Sequence, residues 1–490
     1  MRLMKALNAV FPDSPGATVA INYTGTTTPA SLFADALGAT PVPNPVGTDA
    51  NARIHVYVMD GIYDMRVVFG TTSYAVIGVE HFKSFDLRGF GARGDTQIVT
   101  DGAMSGGSAI LTSASGQFAP GDVGKAVAVV GAGAAGATLL TTVASRLSAT
   151  QVGLSASASN TVSGATVEWG TDDTAAIQSA LNAFNSAANT GSGGTLPLSP
   201  GIYFVTASLQ VYRHIKIAGP QGFRAEQWQD SGRGATFVNH TPNAPTLILH
   251  GQQEVNGLNF EGSGPGAYVQ SVDNTIAVRN CAFRGRDHGI YANSPGSVYD
   301  ILISDSIFAS QSGDCIQLNT TQVDSLVAIE RCWFRKVGGY RGRGINIQNL
   351  NGGYAPLVIR DCLFDNLTMA NAQGVAISTA ASQAVIIEGN HFESINGTGS
   401  DTIFLGGTTG AQITGNLFLN CNQGVRIGSS AKTFLAGNYW QAGRSTLIFN
   451  SDARDTLAFG IPAGTNIGTG LDYALYFDNG SLRTDFTSRR

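Results

Sequence analysis

Charged side chains are scarce in this chain of 490 residues, and their scarcity limits what the protein can bind. Only 13% of the residues are charged, and 29 basic against 34 acidic residues leave a formal net charge of −5. Nucleic-acid-binding surfaces need a basic excess, so this composition argues against a nucleic-acid partner. The 62 glycines suit many short strands joined by tight turns better than they suit long helices.

Cysteine is also rare, and its odd number does not indicate a disulfide framework. The five cysteines, an odd count, are Cys281, Cys315, Cys332, Cys362 and Cys421. An odd set of thiols cannot pair completely within one chain. We interpret these residues as small buried side chains of a protein that is made in a reducing cytosol.

The chain also lacks a long apolar segment of the kind that crosses a membrane or directs secretion. The apolar stretch near the N-terminus is short and no convincing cleavage site follows it, so we expect no signal peptide. Residues 126–145 are uncharged, but Gly131, Gly133 and Gly136 interrupt them, and the valines among them favour strand. This segment predicts a hairpin and no membrane insertion.

A repeat of large aromatic residues dominates the second half of the chain. Each aromatic ends a short apolar run, and the intervals between them are 22 to 30 residues. The eight residues are Phe260, Phe283, Phe308, Phe334, Phe364, Phe392, Phe418 and Trp440. Intervals of this length are typical of a coiled parallel sheet whose turns stack on one another. We therefore predict a stack of rings inside the coil.

The remaining sequence divides into further β-rich modules and one helix. Residues 1–84 form an N-terminal β module, in which Asp60-Gly61 predicts a hairpin. Residues 85–206 open the coil and contain an inserted β module at 96–170 and an amphipathic helix at 171–190 with Thr171 as its N-cap. The coil itself is placed at 207–454, and a tail of unknown role follows at 455–490.

Three short motifs in the opening segment carry a family resemblance. They are Gly91-Ala92-Arg93-Gly94-Asp95, then Thr171-Asp172-Asp173-Thr174, then Ser199-Pro200-Gly201-Ile202-Tyr203. Together they resemble the start of pectate-lyase-like proteins, which implies an all-β fold: a right-handed single-stranded parallel β-helix with a short capping α-helix, plus N-terminal and inserted β-rich modules.

The inserted and N-terminal modules resemble the layout of bacteriophage tailspikes. This resemblance implies a homotrimer on the virion, assembled in the host cytoplasm and attached to phage tail or adaptor proteins through the N-terminal module. It also implies a bacterial capsule, exopolysaccharide or lipopolysaccharide O-antigen as the partner.

Alignment of the turns on their aromatic residues predicts which side chains become neighbours. Residues two before each aromatic should point inward, and residues one before should point outward as a stripe that includes Trp333. We favour burial of this stripe by another subunit, with sugar stacking on Trp333 as the alternative. Residues four before should form an exposed ladder of ion pairs. A polar column precedes the next strand: His288, Asp314, Arg343, Gln373, Asp401 and Gln423.

The polar column and the turns beside it suggest a groove for an extended polymer. Three consecutive turns, at residues 335–342, 365–372 and 393–400, are longer than the others and should form a wall. Asp314 and Asp287 lie on adjacent turns, and two carboxyl groups at that separation can carry out glycoside hydrolysis. Asp365, Glu393 and Asp401 form an alternative set of carboxylates.

The segment Ser312-Gly313-Asp314-Cys315-Ile316 is similar to a block of polygalacturonase-type hydrolases, although Gly313 and Arg343 replace two of the polar residues expected there. That similarity implies a substrate-binding role for Arg426. We assign Asp314 as the acid or base, Asp287 as its partner, and His288, Arg343 and Tyr340 as groups that bind substrate or tune the pKa values of the acids. A polysaccharide lyase and a non-catalytic adhesin stay open as alternatives, and a solvated Asp314–Arg343 ladder is as good an interpretation as catalysis. No metal-ligand spacing is present, so we expect neither metal nor cofactor.

Overall fold

The structure is a computed structural model. It describes residues 5–11, 14–23, 25–35, 38–58, 61–81, 87–185, 193–220, 234–262, 266–269, 275–285, 288–292, 297–309, 313–319, 322–335, 342–348, 356–369, 374–380, 384–397, 400–428, 432–441, 447–449, 457–458, 475–478 and 481–484. The chain divides into two compact units, Met1–Asp86 and Leu87–Arg490. Among the described helices, none is long and apolar enough to cross a membrane.

The first unit consists of two four-stranded sheets around one apolar core. Its strands are β1 (Lys5–Val10), β2 (Thr18–Tyr23), β3 (Leu32–Phe33), β4 (Pro41–Val42), β5 (Val46–Gly47), β6 (Arg53–Val58), β7 (Gly61–Phe69) and β8 (Thr72–His81). The sheet orders are β1-β6-β3-β4 and β5-β2-β7-β8. The predicted hairpin at Asp60-Gly61 is therefore wrong, because β6 and β7 lie in different sheets and long-range pairing overrides the local turn signal.

The second unit begins with the inserted module, which is a closed barrel. Its strands are β9 (Gln97–Met104), β10 (Ile110–Thr112), β11 (Ala126–Val129), β12 (Leu139–Arg146), β13 (Gln151–Leu154) and β14 (Val162–Gly170). They close in the order β10-β13-β12-β11-β14-β9. Strands β11 and β12 pair antiparallel, as the glycine-interrupted segment predicted. The barrel packs on the coil where Ala126 and Ala128 meet Phe204 and Val238.

The opening motifs connect the chain segments that precede and follow the barrel. The carboxylate of Asp95 accepts the backbone N–H of Thr171 at 2.8 Å and forms an ion pair with Lys125 at 2.8 Å. The buried carboxylate of Asp173 accepts the N–H groups of Arg93 and Gly94 at 2.7 and 2.9 Å. These bonds hold both ends of the insert beside the first turn of the coil, so the motif residues are structural.

One α-helix, α1 (Thr174–Phe184), follows the barrel. It begins three residues later than predicted, with Asp173 in place of Thr171 at the N-cap. The reason is that Asp172 still forms a β-bridge to Phe204, which excludes helical geometry there. The helix buries Ile177, Ala180 and Leu181. Short 3₁₀ helices lie at Leu87–Phe90, Pro120–Asp122 and Ala134–Gly136.

The rest of the unit is a coil of three parallel sheets, named A, B and C here. Sheet A contains β15 (Gly194–Pro197), β18 (Ile215–Ala218), β21 (Gln253–Asn256), β24 (Ile276–Arg279), β27 (Ser297–Ser304), β30 (Gln322–Glu330), β33 (Leu357–Arg360), β36 (Val385–Glu388), β39 (Gln412–Thr414), β42 (Phe434–Ala436) and β45 (Leu457–Ala458). Strand β45 carries sheet A past residue 454, where the repeat was expected to end.

Sheets B and C contain ten strands each. Sheet B contains β16 (Gly201–Phe204), β19 (Ala235–Asn239), β22 (Leu258–Gly262), β25 (Ala282–Arg284), β28 (Ile307–Ala309), β31 (Trp333–Arg335), β34 (Leu363–Asp365), β37 (His391–Glu393), β40 (Leu417–Leu419) and β43 (Tyr439–Trp440). Sheet C contains β17 (Leu209–Val211), β20 (Leu247–Leu249), β23 (Ala267–Val269), β26 (Ile290–Ala292), β29 (Ile316–Asn319), β32 (Ile345–Gln348), β35 (Ile377–Ala380), β38 (Ile403–Gly406), β41 (Val425–Ile427) and β44 (Leu447–Phe449). A hairpin of β46 (Leu475–Asp478) and β47 (Ser481–Thr484) follows.

The predicted stack of rings inside the coil is confirmed. From Phe260 to Trp440 the ring centroids of successive turns are 4.2 to 5.0 Å apart. Two positions before each ring, the side chains are also buried, and the last three, Asn390, Asn416 and Asn438, form a ladder of hydrogen bonds. These two interior columns fix the register in which the outward-facing residues meet.

The outward-facing columns agree with the prediction only in part. At the position four residues before the aromatic, Glu330 and Arg360 form the expected ion pair at 2.7 Å between adjacent strands. At the position one residue before the aromatic, Trp333 is half-buried and Tyr439 is exposed, whereas Ala282 and Ile307 are buried. The predicted outward stripe is therefore accessible at one end of the coil and covered at the other.

Candidate functional site

The polar column lies where each chain segment passes from sheet B to sheet C. The register of sheet C aligns His288, Asp314, Arg343, Asp401 and Gln423, as the sequence predicted. The prediction that Gln373 belongs to this column is wrong. Val375 occupies that position, because its backbone N–H donates to the carbonyl oxygen of Asp401 at 2.7 Å. The turn after Phe364 is two residues longer than the alignment assumed, and Gln373 lies outside the described residues.

Asp314 is held firmly by its neighbours on the next turn. Its side chain is buried, and Oδ1 accepts the backbone N–H of Arg343 while Oδ2 accepts the side-chain amide of Asn346, both at 2.6 Å. The turns meet closely here, because a Cβ atom on Gly342 would lie 1.6 Å from the carbonyl oxygen of Gly313. Both carboxylate oxygens of Asp314 therefore already anchor the turn at residues 342–343.

The other residues predicted beside Asp314 are only partly described. Asp287 and Tyr340 lie outside the described residues, so the Asp314–Asp287 acid pair stays a prediction. The His288 ring is half-buried and tilts against Tyr291, with ring centroids 5.0 Å apart. Parts of the predicted wall, at residues 336–341, 370–372 and 398–399, also lie outside them.

Farther along the column, Asp401 is paired with Arg426 on the next turn. Asp401 is 1% exposed, and its Oδ2 lies 2.7 Å from Nε of Arg426. Neither oxygen makes a well-aligned hydrogen bond, so the contact is an ion pair without hydrogen-bond geometry. Burial raises the pKa of Asp401 to about 6, although the nearby guanidinium acts in the opposite direction.

Sheet B brings two of the alternative carboxylates together just before the longer turns. Asp365 and Glu393 are register partners on the adjacent strands β34 and β37, and Arg335 is the partner of Asp365 on β31. Adjacent strands lie about 4.8 Å apart. Both carboxylates reach solvent, with side-chain exposures of 27% for Asp365 and 49% for Glu393. Side chains on strands with this spacing can bring their carboxyl groups to the separations that glycosidases use.

Two basic groups and one aromatic ring surround this acid pair. Nε of Arg335 lies 3.5 Å from Asp365, and Nε2 of His391 lies 3.5 Å from Glu393. The Arg335 guanidinium also lies over the Trp333 ring, 5.5 Å from its centroid. The structure thus joins Trp333, predicted to bind substrate, to two carboxylates that the sequence had placed in a separate set. We call these five residues the sheet B patch.

Sequence reasoning missed one side chain of this region. Phe404 lies on β38 with its ring against sheet C, in register with Arg426. A signal was present, because Phe404 is an aromatic residue between the inward-facing Ile403 and Leu405 and must therefore point outward. Among the described residues, no group of three or more metal-ligating side chains comes together.

Comparison with known proteins supports the fold of the coil. Residues 235–392 match the family described as "Right handed beta helix region", which agrees with the hand implied by the opening motifs. The coil is accordingly a right-handed parallel β-helix, and the predicted fold class is confirmed. No curated protein sequence matches the chain.

Several solved structures are similar in fold. ORF18 of Geobacillus virus E2 is 15% identical with a TM-score of 0.37, over 64% of this chain and 60% of that one, which is less than two thirds of its length. PfbA, a surface adhesin of Streptococcus pneumoniae, is 14% identical with a TM-score of 0.39, over 63% and 86%. WceF of Pantoea stewartii, a glycan biofilm modifying enzyme with a bacteriophage tailspike-like parallel beta-helix fold, is 10% identical with a TM-score of 0.32, over 98% and 67%. At these values the similarity concerns the fold alone.

Proposed function

We propose that this protein is a bacteriophage tail appendage that binds a host surface polysaccharide on the coil and cleaves it by glycoside hydrolysis. The observation that carries the proposal is the sheet B patch, in which Asp365 and Glu393 occupy adjacent strands beside an aromatic ring and two basic side chains. In this proposal the N-terminal unit attaches the protein to the virion.

Hydrolysis of a glycosidic bond needs one carboxylic acid and one carboxylate. We assign Asp365, with Nε of Arg335 3.5 Å from it, as the carboxylate of the pair. Glu393 is the more exposed of the two and is assigned to protonate the leaving oxygen. The C–O bond to the leaving sugar breaks as Glu393 gives its proton to the leaving oxygen, while Asp365 either attacks the anomeric carbon or takes a proton from the attacking water. In the first case water then hydrolyses the glycosyl–Asp365 ester and returns a proton to Glu393. In both cases water supplies the hydroxyl group of the new reducing end.

The same patch offers a surface on which a sugar can stack. Trp333 is half-buried, so part of its ring faces outward beside the acids. Sugar rings present an apolar face of C–H groups, which packs well on an aromatic ring. Leu417 and Tyr439 continue the outward row beyond the patch, and Tyr439 is 60% exposed. We propose that another copy of the chain covers this end of the row in a homotrimer.

A non-catalytic adhesin is the second candidate, and one observation favours it. The Arg335–Asp365 contact resembles the Arg360–Glu330 pair of sheet A, which is an ordinary cross-strand ion pair. If the sheet B patch is only such a ladder, the coil binds polysaccharide without cutting it. A lyase would also cut the polymer, but would leave an unsaturated sugar in place of an added water.

The test is a cleavage assay on capsule and lipopolysaccharide preparations from candidate hosts. New reducing ends without unsaturated-uronate absorbance indicate hydrolysis, absorbance indicates a lyase, and binding with neither indicates the adhesin. Asp365→Asn and Glu393→Gln should each lower the cleavage rate by at least about a hundredfold, the usual range for loss of an acid–base group. Asp361→Asn is the matched control, because Asp361 is an exposed carboxylate on the same turn as Asp365.

The assay also separates the two carboxylate assignments. Asp314→Asn should alter cleavage little if the sheet B patch is the site, provided that the turn it anchors keeps its shape. A hundredfold loss in Asp314→Asn, together with full activity in Asp365→Asn and Glu393→Gln, would instead restore the Asp314–Asp287 pair.

A further inference from the structure

The N-terminal unit has a cavity that is bordered by the edges of both of its sheets. Its volume is about 590 Å³, within the range of about 300 to 1,000 Å³ that is usual for ligand pockets. It is lined by Asn8, Ala9 and Val10 of β1 and by Val46 and Gly47 of β5. Strand β1 is the last strand of one sheet, and β5 is the last strand of the other. The cavity therefore lies where each sheet could accept a further strand.

The backbone of β1 has hydrogen-bonding groups that point away from its own sheet. The N–H of Phe11 donates to the carbonyl of Ala52 at 2.8 Å, and the register pairs Val10 with Arg53. Because hydrogen-bonded and non-hydrogen-bonded pairs alternate along an antiparallel ladder, the N–H and C=O groups of Asn8 and Val10 point away from β6. Among the described strands, only β6 pairs with β1. Such an edge is a template on which another chain can pair.

Gly47 leaves room for a strand beside these edges. The N–H of Thr48 donates to the carbonyl of Ala17 at 2.8 Å, so the backbone groups of Gly47, one residue earlier, point to the free side of β5. A Cβ atom added to Gly47 would meet no described atom within 4 Å. The φ angle of Gly47 is not positive, so its backbone conformation does not require glycine. The space beside Gly47 is therefore open to a ligand.

The side chains that line the cavity determine what kind of strand it accepts. Val10 is 58% exposed and presents an apolar surface. Its register partner Arg53 is also exposed, and its guanidinium forms no ion pair with a described residue. Asp49 carries a carboxylate whose Oδ1 already accepts the backbone N–H groups of Asn51 and Arg53, both at 2.8 Å. The charge that is left to a ligand is therefore the positive charge of Arg53.

We propose that this cavity binds an extended segment of a different protein, which pairs with β1 as an additional strand of its sheet. The segment places an apolar residue against Val10 and a carboxylate two positions away, on the same face, for Arg53. Arg53 lies two strand spacings, about 9.6 Å, from the added strand, which the side chains of arginine and glutamate span together. The inference rests on the proposed function in one respect, namely that the partner is the virion protein to which the N-terminal unit attaches.

Charge complementarity favours a different protein over a second copy of this chain. The four strands at the edges of the two sheets are β1, β4, β5 and β8. Strands β1, β4 and β5 contain no acidic residue. Strand β8 contains Glu80, but the residue two positions before it is Gly78, which has no apolar side chain to pack on Val10. None of these described edges supplies the pair of side chains that the cavity requires.

The test selects peptides on the full-length chain. A library of random short peptides displayed on filamentous phage is selected on the wild type, with Val10→Pro as the counter-selection. An edge strand tolerates proline where the N–H faces outward, so this variant should keep its fold and lose one hydrogen bond to the added strand. Enriched peptides should carry an apolar residue and a Glu or Asp two positions apart. No enrichment over Val10→Pro, or enriched peptides without the carboxylate, would overturn the proposal.

Variants then assign the binding to the backbone and side chains of the cavity, with the most enriched peptide measured by fluorescence anisotropy. Val10→Pro should weaken binding at least about tenfold, whereas Val10→Ile, which keeps the N–H and the apolar surface, should bind as the wild type does. Arg53→Glu should also weaken binding at least about tenfold, because it brings like charges together. Gly47→Trp should block the cavity, and Ser73→Trp, at an exposed position of β8, is the matched control. Equal affinities of Val10→Pro and Val10→Ile would exclude strand addition.

Hydrogen exchange followed by mass spectrometry locates the bound peptide. Exchange in β1 should slow, because the outward N–H groups of Asn8 and Val10 become paired, and exchange in the coil should stay the same. Slower exchange in β8 alone would place the peptide on another edge and contradict the proposal. Sedimentation of the wild type and Val10→Pro tests the second copy as occupant. A smaller assembly in Val10→Pro would show that β1 pairs with another copy, and the assignment to a different protein would then be wrong.

Failure of this inference can be told apart from failure of the proposed function. Strand addition is wrong if Val10→Pro binds the peptide as well as the wild type does, whatever the cleavage assay shows. The hydrolase assignment is wrong if Asp365→Asn and Glu393→Gln cleave normally, whatever the peptide experiment shows. A non-catalytic adhesin attached through β1 would pass the peptide test and fail the cleavage test.

Discussion

Replacement of Phe334 should reveal how much of the stability of the coil comes from its ring stack. Phe334 is fully buried, and its ring lies 5.0 Å from that of Phe308 and 4.6 Å from that of Phe364, with both pairs nearly parallel. Removal of a buried phenylalanine ring costs about 3 to 5 kcal/mol of unfolding free energy. Stacking contributes about 0.5 to 1.5 kcal/mol for each pair beyond the apolar area buried.

Two variants separate these contributions. Phe334→Ala should lose about 3 to 5 kcal/mol, because both the ring contacts and the filled volume are lost. Phe334→Leu keeps most of the volume but loses the two stacking contacts, so it should lose about 1 to 3 kcal/mol. Gln412→Ala, at an exposed position of sheet A, is the control and should change the unfolding free energy by less than about 0.5 kcal/mol.

The measurement is urea-induced unfolding followed by circular dichroism. If refolding is incomplete, the unfolding rate at a fixed urea concentration replaces the equilibrium free energy. A Phe334→Leu variant as stable as the wild type would show that the stacked geometry adds nothing to simple filling of space. A Phe334→Ala variant with the same result would refute the interior placement of the whole column.

Two further predictions concern buried polar groups of the coil. The pKa of Asp401 is raised to about 6, so the contribution of this side chain to stability is fully present below its ordinary pKa near 4 and is lost as the pH rises through 6. Parallel urea titrations should therefore show the wild type losing stability relative to Asp401→Asn between pH 4 and pH 7. A difference in unfolding free energy that stays constant over this range would contradict the prediction. Asn416 bonds to both Asn390 and Asn438 on the neighbouring turns, so Asn416→Leu should cost about 1 to 3 kcal/mol for each polar group left unpaired, and Asn416→Ser should cost less in the same unfolding assay.

The interior of the coil was predictable because its rules are local and repeated. One aromatic in each turn and a period of two along a strand were enough to place Phe283 over Phe260 and to bury Cys281 beside it. The hairpin at Asp60-Gly61 failed for the opposite reason. The turn signal there is short, and the pairing partners of β6 and β7 are distant strands that no local pattern reveals.

The site was predictable in composition and less so in arrangement. Asp365 and Glu393 each follow the aromatic of their turn by one residue, so the repeat already implied that they are neighbours. The prediction nevertheless grouped them with Asp401, which is separated from this pair by a long turn. The repeat does not predict the lengths of the turns. For this reason the column position predicted for Gln373 is occupied by Val375. Phe404 went unnoticed because the alignment followed only the rings of sheet B.

The sheet B patch depends on the interior stack more than on any loop. Trp333 and Arg335 flank Phe334 along one strand, so all three positions change face together if that strand slips by a single residue. Such a slip would turn the Arg335 charge into the ring stack and expose Phe334, at the cost of a buried charge and of one ring in the column. The inward rings thus hold β31, β34 and β37 in one register, and Asp365 and Glu393 remain side by side as a consequence. A coil of this kind can change its outward residues freely while the interior columns keep each new side chain beside its neighbour.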